Sequence, residues 1–168
     1  TKGDNVPYQI GLNDSGFELI DGGSMDIPKD VVVMIDAGSV FKLQGALIGA
    51  GSSSLTVDRG GATLQVLGTP FQDVTMTSWR DETIGGDTTP IPTTPKAGNW
   101  GGLVFRRDID NAEGRINYER QGIFMDYVAF ASLNYGGGKL DVDSVNQIIN
   151  PITLVQARPC IYNNLITR

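Results

Sequence analysis

Residues 38–45 read Gly-Ser-Val-Phe-Lys-Leu-Gln-Gly, and residues 61–68 read Gly-Ala-Thr-Leu-Gln-Val-Leu-Gly. Set one beneath the other, the glycines coincide at both ends. Phe41 falls on Leu64, Leu43 on Val66 and Lys42 on Gln65, at an offset of 23 residues. Just upstream, Ile35-Asp36 and Val57-Asp58 repeat an apolar-acid pair with a one-residue slip. A period of about 20 to 25 residues in short, strand-like runs marks a stack of repeated coils. One coil cannot bury its inward face alone. A second coil about 4.8 Å away supplies both the hydrogen bonds and the apolar cover. The repeat therefore predicts that 38–45 pairs in parallel with 61–68. It also predicts that Val40 or Phe41, Leu43, Leu64, Val66, Val104 and Ile152 face inward or lie in parallel ladders.

Working outward, further apolar runs recur at steady intervals: 17–20, 31–35, 54–57, 74–77, 101–105, 123–131, 152–155 and 160–166. Most are β-branched or aromatic, and none holds a 3.6-residue stripe, so a single helical turn near 110–118 is the most helix expected. Asp21-Gly22 is the one tight-hairpin signal, which argues against an antiparallel sandwich. Two stretches break the rhythm. Residues 79–99 are rich in Thr, Pro and Gly, and residues 106–121 are dense in charge. Both are expected to be long loops thrown from neighbouring coils on one flank. Residues 1–30 are then a lead-in or cap, and 31–168 the coils.

The net charge of −6 disfavours nucleic acid and anionic lipid as partners. No apolar run approaches the ~20 residues of a membrane-spanning helix. The chain has no histidine, which removes His-based acid–base catalysis and His-ligated metal. Its single cysteine, Cys160, cannot form an intrachain disulfide and sits in an apolar run as a small hydrophobe.

The stretches GNWGGLVFR (98–106), YVAFASLNYGGG (127–138), ARPCIYNNLIT (157–167) and IDAGSVFKLQG (35–45) resemble the parallel β-helix repeat regions of large bacterial cell-surface and secreted proteins, the pectin-lyase-like superfamily. The resemblance covers roughly residues 31–168. It implies an all-β, right-handed parallel β-helix (a β-solenoid) with two long loop insertions, outside a bacterial cell or on its surface. Two kinds of function are compatible with it. One is a non-catalytic structural module: an adhesin, a matrix protein or a filament-forming scaffold assembling end to end. The other is a polysaccharide-binding or polysaccharide-degrading domain. The first is favoured because no line of outward acids and aromatics on consecutive coils is evident. The expected partners are copies of the chain itself or neighbouring coils of a longer one, with polysaccharide as the alternative. Neither nucleic acid nor membrane insertion is expected.

Hydrolysis of a glycosidic bond needs two carboxylates about 5 to 10 Å apart across a groove. The acids on strand-like segments are Asp126, Asp141 and Asp143, and alternation sets the last two on one face. A lyase would draw its base from Arg106, Arg107 or Arg158. Neither set makes a convincing centre, and no catalytic residue is assigned. Calcium is the one cofactor considered, because hard oxygen ligands on irregular backbone suit it. Asp81, Asp87, Asp108 and Asp110 are the candidate ligands, with Glu82 and Glu113 beside them. Against calcium, Arg106, Arg107, Arg115 and Arg120 balance the acids of the second loop, as an ion-pair network would. Trp79, Trp100 and Tyr118 could stack on sugars, but the two tryptophans are better placed to staple the loop bases. The apolar run 160–166 has no polar cap after it, which motivates the end-to-end assembly.

Overall fold

The computed structural model describes residues 6–53, 57–89, 92–110, 115–142 and 145–167, with backbone alone at 116, 141 and 142. Its strands are β1 (Tyr8–Gly11), β2 (Met25–Asp26), β3 (Val32–Asp36), β4 (Val40–Gln44), β5 (Ile48–Ala50), β6 (Thr63–Leu67), β7 (Val74–Ser78) and β8 (Leu103–Arg106). After helix α1 (Arg115–Arg120) come β9 (Tyr127–Ala129), β10 (Ala131–Asn134), β11 (Lys139–Val142), β12 (Val145–Ile148), β13 (Ile152–Val155), β14 (Cys160–Tyr162) and β15 (Leu165–Thr167). The protein is all-β with three parallel sheets. The first sheet orders β1-β4-β7-β10-β15, the second β2-β5-β8-β13 and the third β3-β6-β9-β14. Each pass of the chain visits the second, third and first sheets in that order. Among the described strands, β11 and β12 stand apart, as an antiparallel pair.

Register corrects the repeat. Residues 38–45 do not pair with 61–68, because β4 lies in the first sheet and β6 in the third. Phe41 pairs with Tyr8 and Met76, while Leu64 pairs with Val33. Partners on neighbouring coils lie further apart than 23 residues: Phe41 follows its partner Tyr8 by 33 residues, and Cys160 follows Tyr127 by the same interval, each pass carrying an excursion. The 23-residue similarity is one of shape. Gly38 and Gly61 both turn a corner at φ 77° and 72° just before a strand, but onto different sides.

Alternation along each strand sends one residue in two to the common interior. Phe41, Met76 and Leu133 stack in one column, Ile35, Val66 and Val128 in another, and Ile48 and Leu103 in a third, all buried. Trp100 is fully buried with them. Val104 points the other way and is covered from outside by Leu140 and Ile149 of the hairpin region. Corners stack as strands do. Gly51, at φ 103°, passes so close to the Arg106 carbonyl that a Cβ would collide with it. The third-to-first corner narrows to Phe130 in one pass and Asn163-Asn164 in the next. There Asn164 accepts from Ala131 N–H at 2.8 Å and donates to the Val128 carbonyl at 2.8 Å.

Residues 12–24, 79–102 and 135–151 leave the stack between the first and second sheets, whereas 51–62 and 107–126 leave between the second and third. The two long loops are therefore not on one flank; β8 separates them. Residues 17–20 do not form a strand. They fold back, with bonds from Asp21 N–H to the Gln9 carbonyl (3.0 Å) and from Leu19 N–H to the Gly11 carbonyl (2.8 Å), and so cover the outer edge of β1. The first thirty residues also contribute β1 and β2 to two of the sheets. The helical turn falls at Arg115–Arg120, overlapping the expected 110–118 only in part.

Candidate functional site

The first cluster grows from Lys42. Between Phe41 and Leu43, both inward, Lys42 points outward from the first sheet, beside Gln9 and Thr77 on the flanking strands. It is nonetheless completely buried. The excursion 79–102 folds across it, and Nζ donates to the Gly86 carbonyl and to Thr88 Oγ1 (3.1 Å). Burial pushes the Lys42 pKa below its ordinary 10.5, opposed by the charges of Asp81, Asp87 and Glu82.

Asp81 is itself buried. It accepts from Thr77 Oγ1 (2.7 Å), Thr83 N–H (3.0 Å) and Thr83 Oγ1 (2.6 Å). Burial alone would raise its pKa, but these bonds and the Lys42 charge hold it below 3.8. Glu82 accepts from Thr93 N–H at 2.7 Å and Thr89 Oγ1 at 2.9 Å, and Asp87 from Thr89 N–H at 3.0 Å. Trp79 Nε1 donates to Gln9 Oε1 at 3.0 Å and Trp100 Nε1 to the Asn134 carbonyl at 2.8 Å, so both indoles staple the base of the loop.

The second cluster is its inverse, a buried carboxylate held by cations. Asp126 Oδ2 accepts from Arg107 Nη2 (2.7 Å) and Arg115 Nη1 (3.0 Å), and Oδ1 from Leu64 N–H (2.9 Å). Arg107 also donates to the carbonyls of Ala50 (2.9 Å), Ala62 (2.8 Å) and Arg106 (2.6 Å), crossing two coils. Its buried Nε has no partner. Burial lowers the Arg107 pKa and Asp126 opposes the shift. Arg115 Nη2 donates to Thr63 Oγ1 at 2.7 Å and fixes the start of α1.

The four calcium candidates are held apart, two in the Lys42 cluster and two in separate contacts at the start of the second excursion. Asp81 and Asp87 belong to the Lys42 cluster. Asp108 pairs with Arg106 at 3.0 Å, which holds its pKa below 3.8, and Asp110 accepts from Ser52 N–H at 3.0 Å. Among the described residues, no three acidic or thiol side chains converge in a manner that could hold a metal. Asp126, considered as a strand acid, is sealed in the arginine clamp. Asp141 lies on β11 opposite Asn146; Asp143 and Glu113 fall outside the described residues. Arg106 is paired and Arg107 buried, which leaves neither free as a base.

Sequence reading missed Lys42 and Asp126 as keystones. A period of two puts Lys42 on the solvent face, and nothing local says that a distant loop roofs it. The ion-pair network was legible in the charge balance of 106–121, but its anion, Asp126, lies just past that window.

A groove of about 420 Å³ runs outside the second sheet between the 12–24 excursion and the hairpin, lined by Ser24, Asp26, Leu47, Ser53, Lys139 and Leu140 among others. In comparisons with family models, curated proteins and solved structures, nothing matches the chain.

Proposed function

We propose that the chain is a right-handed parallel β-helix serving as a non-catalytic structural module of a bacterial cell-surface or secreted protein. The rotation of successive strands through three parallel sheets supports the helix. Its hand follows from the strong right-handed preference of parallel crossovers. The location rests on the sequence resemblance alone.

One observation carries the structural reading. The four buried charged side chains among the described residues, Lys42, Asp81, Arg107 and Asp126, are all bonded into the clusters that pin the molecule's own excursions. A catalytic acid or base must reach a substrate; these groups face protein.

The last pass adds a second support. Leu154, Ile161 and Ile166 are 47%, 39% and 50% exposed, although Phe105, Val128 and Leu133, their partners one layer below, are wholly buried. An apolar face above open strand edges suits a further coil, from a copy of the chain or from neighbouring coils. The groove beside the second sheet favours a second reading, polysaccharide binding, with Asp26 and Lys139 as polar contacts.

Incubation with pectin, alginate and other acidic polysaccharides tests the structural reading. No reducing ends or unsaturated products are expected; turnover lost on Asp141→Asn would overturn it.

A further inference from the structure

The interior of the stack is open at its first end. There the terminal strands of the three sheets, β1, β2 and β3, meet around a pocket of about 330 Å³. Its walls include the inward residues Tyr8, Ile10, Met25, Val33 and Ile35. Tyr8, Met25 and Val33 are only partly buried, although Phe41, Ile48 and Leu64, their partners one layer on, are buried. Tyr8 is stacked on Phe41 with ring centroids 4.8 Å apart, so one wall is aromatic.

A further coil cannot seat here in full, because the outer edge of β1 is already taken by the 12–24 excursion. Gln9 N–H donates to Asp21 Oδ2 (2.8 Å) and Gly11 N–H to the Gly22 carbonyl (2.8 Å), while the carbonyls of Gln9 and Gly11 accept from Asp21 and Leu19 N–H. Strand addition needs such groups free, which leaves a small molecule as the occupant. Charge then selects its chemistry. Among the described residues, the charged side chains lining the pocket are Asp21 and Asp36, with Ser24 and Ser39 beside them, and no lysine or arginine. An anion would meet two carboxylates on a chain that already bears −6.

We propose that this pocket binds a small amine, with its apolar body against Tyr8, Met25, Val33 and Ile35 and its ammonium at Asp21 and Asp36. Apolar walls with a few polar groups at one side are the usual make-up of a small-molecule site, and an aromatic wall also attracts a cation. The site does not rest on the proposed scaffold role and lies at the opposite end of the stack from β13, β14 and β15.

Titration of the isotope-labelled 168-residue chain with phenethylamine, followed through backbone amide shifts, tests it. Saturable shifts at Ser24, Val33, Ile35 and Ser39 are expected, with a dissociation constant on the order of 1 mM. Hydrocinnamate, which has the same body and a carboxylate head, should bind at least about tenfold more weakly. Asp21→Asn with Asp36→Asn should weaken the amine by about tenfold; the new amide at position 21 keeps an oxygen for the Gln9 N–H, so the strap over β1 survives. Absence of saturable shifts at these residues would overturn the proposal. So would equal binding of hydrocinnamate, or an affinity indifferent to the two asparagines, since either would show an apolar mouth that does not select for charge.

Discussion

The two long excursions are fastened to the same stack by opposite means. Residues 79–102 close over a buried cation whose nitrogen bonds a carbonyl and a hydroxyl, with its countercharges near but not in contact. Residues 107–126 close over a buried anion gripped by two guanidinium groups and a backbone N–H. The difference shows how each site meets the cost of desolvation. An ammonium has three donors, and one hydroxyl and one carbonyl serve most of that need. A carboxylate between two arginines is held by direct ion pairs, so removing the shared partner strands two cations at once.

The largest expected effect breaks the second fastening. Asp126→Ala leaves Arg107 and Arg115 without their anion in a buried site and should cost about 3–5 kcal/mol in urea unfolding. Lys42→Met keeps the stem's volume and loses the charge and its two bonds; about 1–3 kcal/mol is expected. Limited proteolysis of that variant should open residues 79–99 and spare 107–126. If Lys42→Met proves the costlier of the two, the contrast between direct and indirect countercharge fails.

Acid should loosen both excursions. The folded-state pKa values of Asp81 and Asp108 lie below 3.8, so the unfolded chain takes up protons first as pH falls. Their stabilisation is full above about pH 5 and is lost progressively as pH drops through the depressed values. The slope of melting temperature against pH below about 4 should flatten in both Asp81→Asn and Asp108→Asn. At neutral pH, Asp108→Asn alone should cost no more than about 1 kcal/mol, because its pair with Arg106 is partly solvated. Smallest of all is calcium removal. With Asp81, Asp87, Asp108 and Asp110 each bonded to protein groups, a chelator should leave the melting temperature unchanged; a clear drop would restore calcium to one excursion.

Much of the strand pattern was legible because inward residues such as Phe41, Leu43, Leu64 and Val66 obey a period of two that any strand imposes. The coil length was not. Gly38 and Gly61 mark equivalent corners on different sides, and sequence similarity does not record which side a corner belongs to. The hairpin β11–β12 was missed because Lys139–Ile148 mixes charge, amide and aliphatic side chains without a turn dipeptide. Both excursions were visible as breaks in rhythm. Their fastenings were not, since Lys42 and Asp126 act through partners as far away as Gly86 and Leu64.

The most direct test of the stacked, three-sided chain is a map of nuclear Overhauser contacts along the outward column Met34, Gln65, Tyr127 and Cys160, which sits on consecutive strands of the third sheet. Cross-strand backbone contacts are predicted from Met34 to Gln65, from Gln65 to Tyr127 and from Tyr127 to Cys160, with none between Lys42 and Gln65. Contacts joining Lys42 to Gln65 would set residues 38–45 directly on 61–68 and contradict the arrangement.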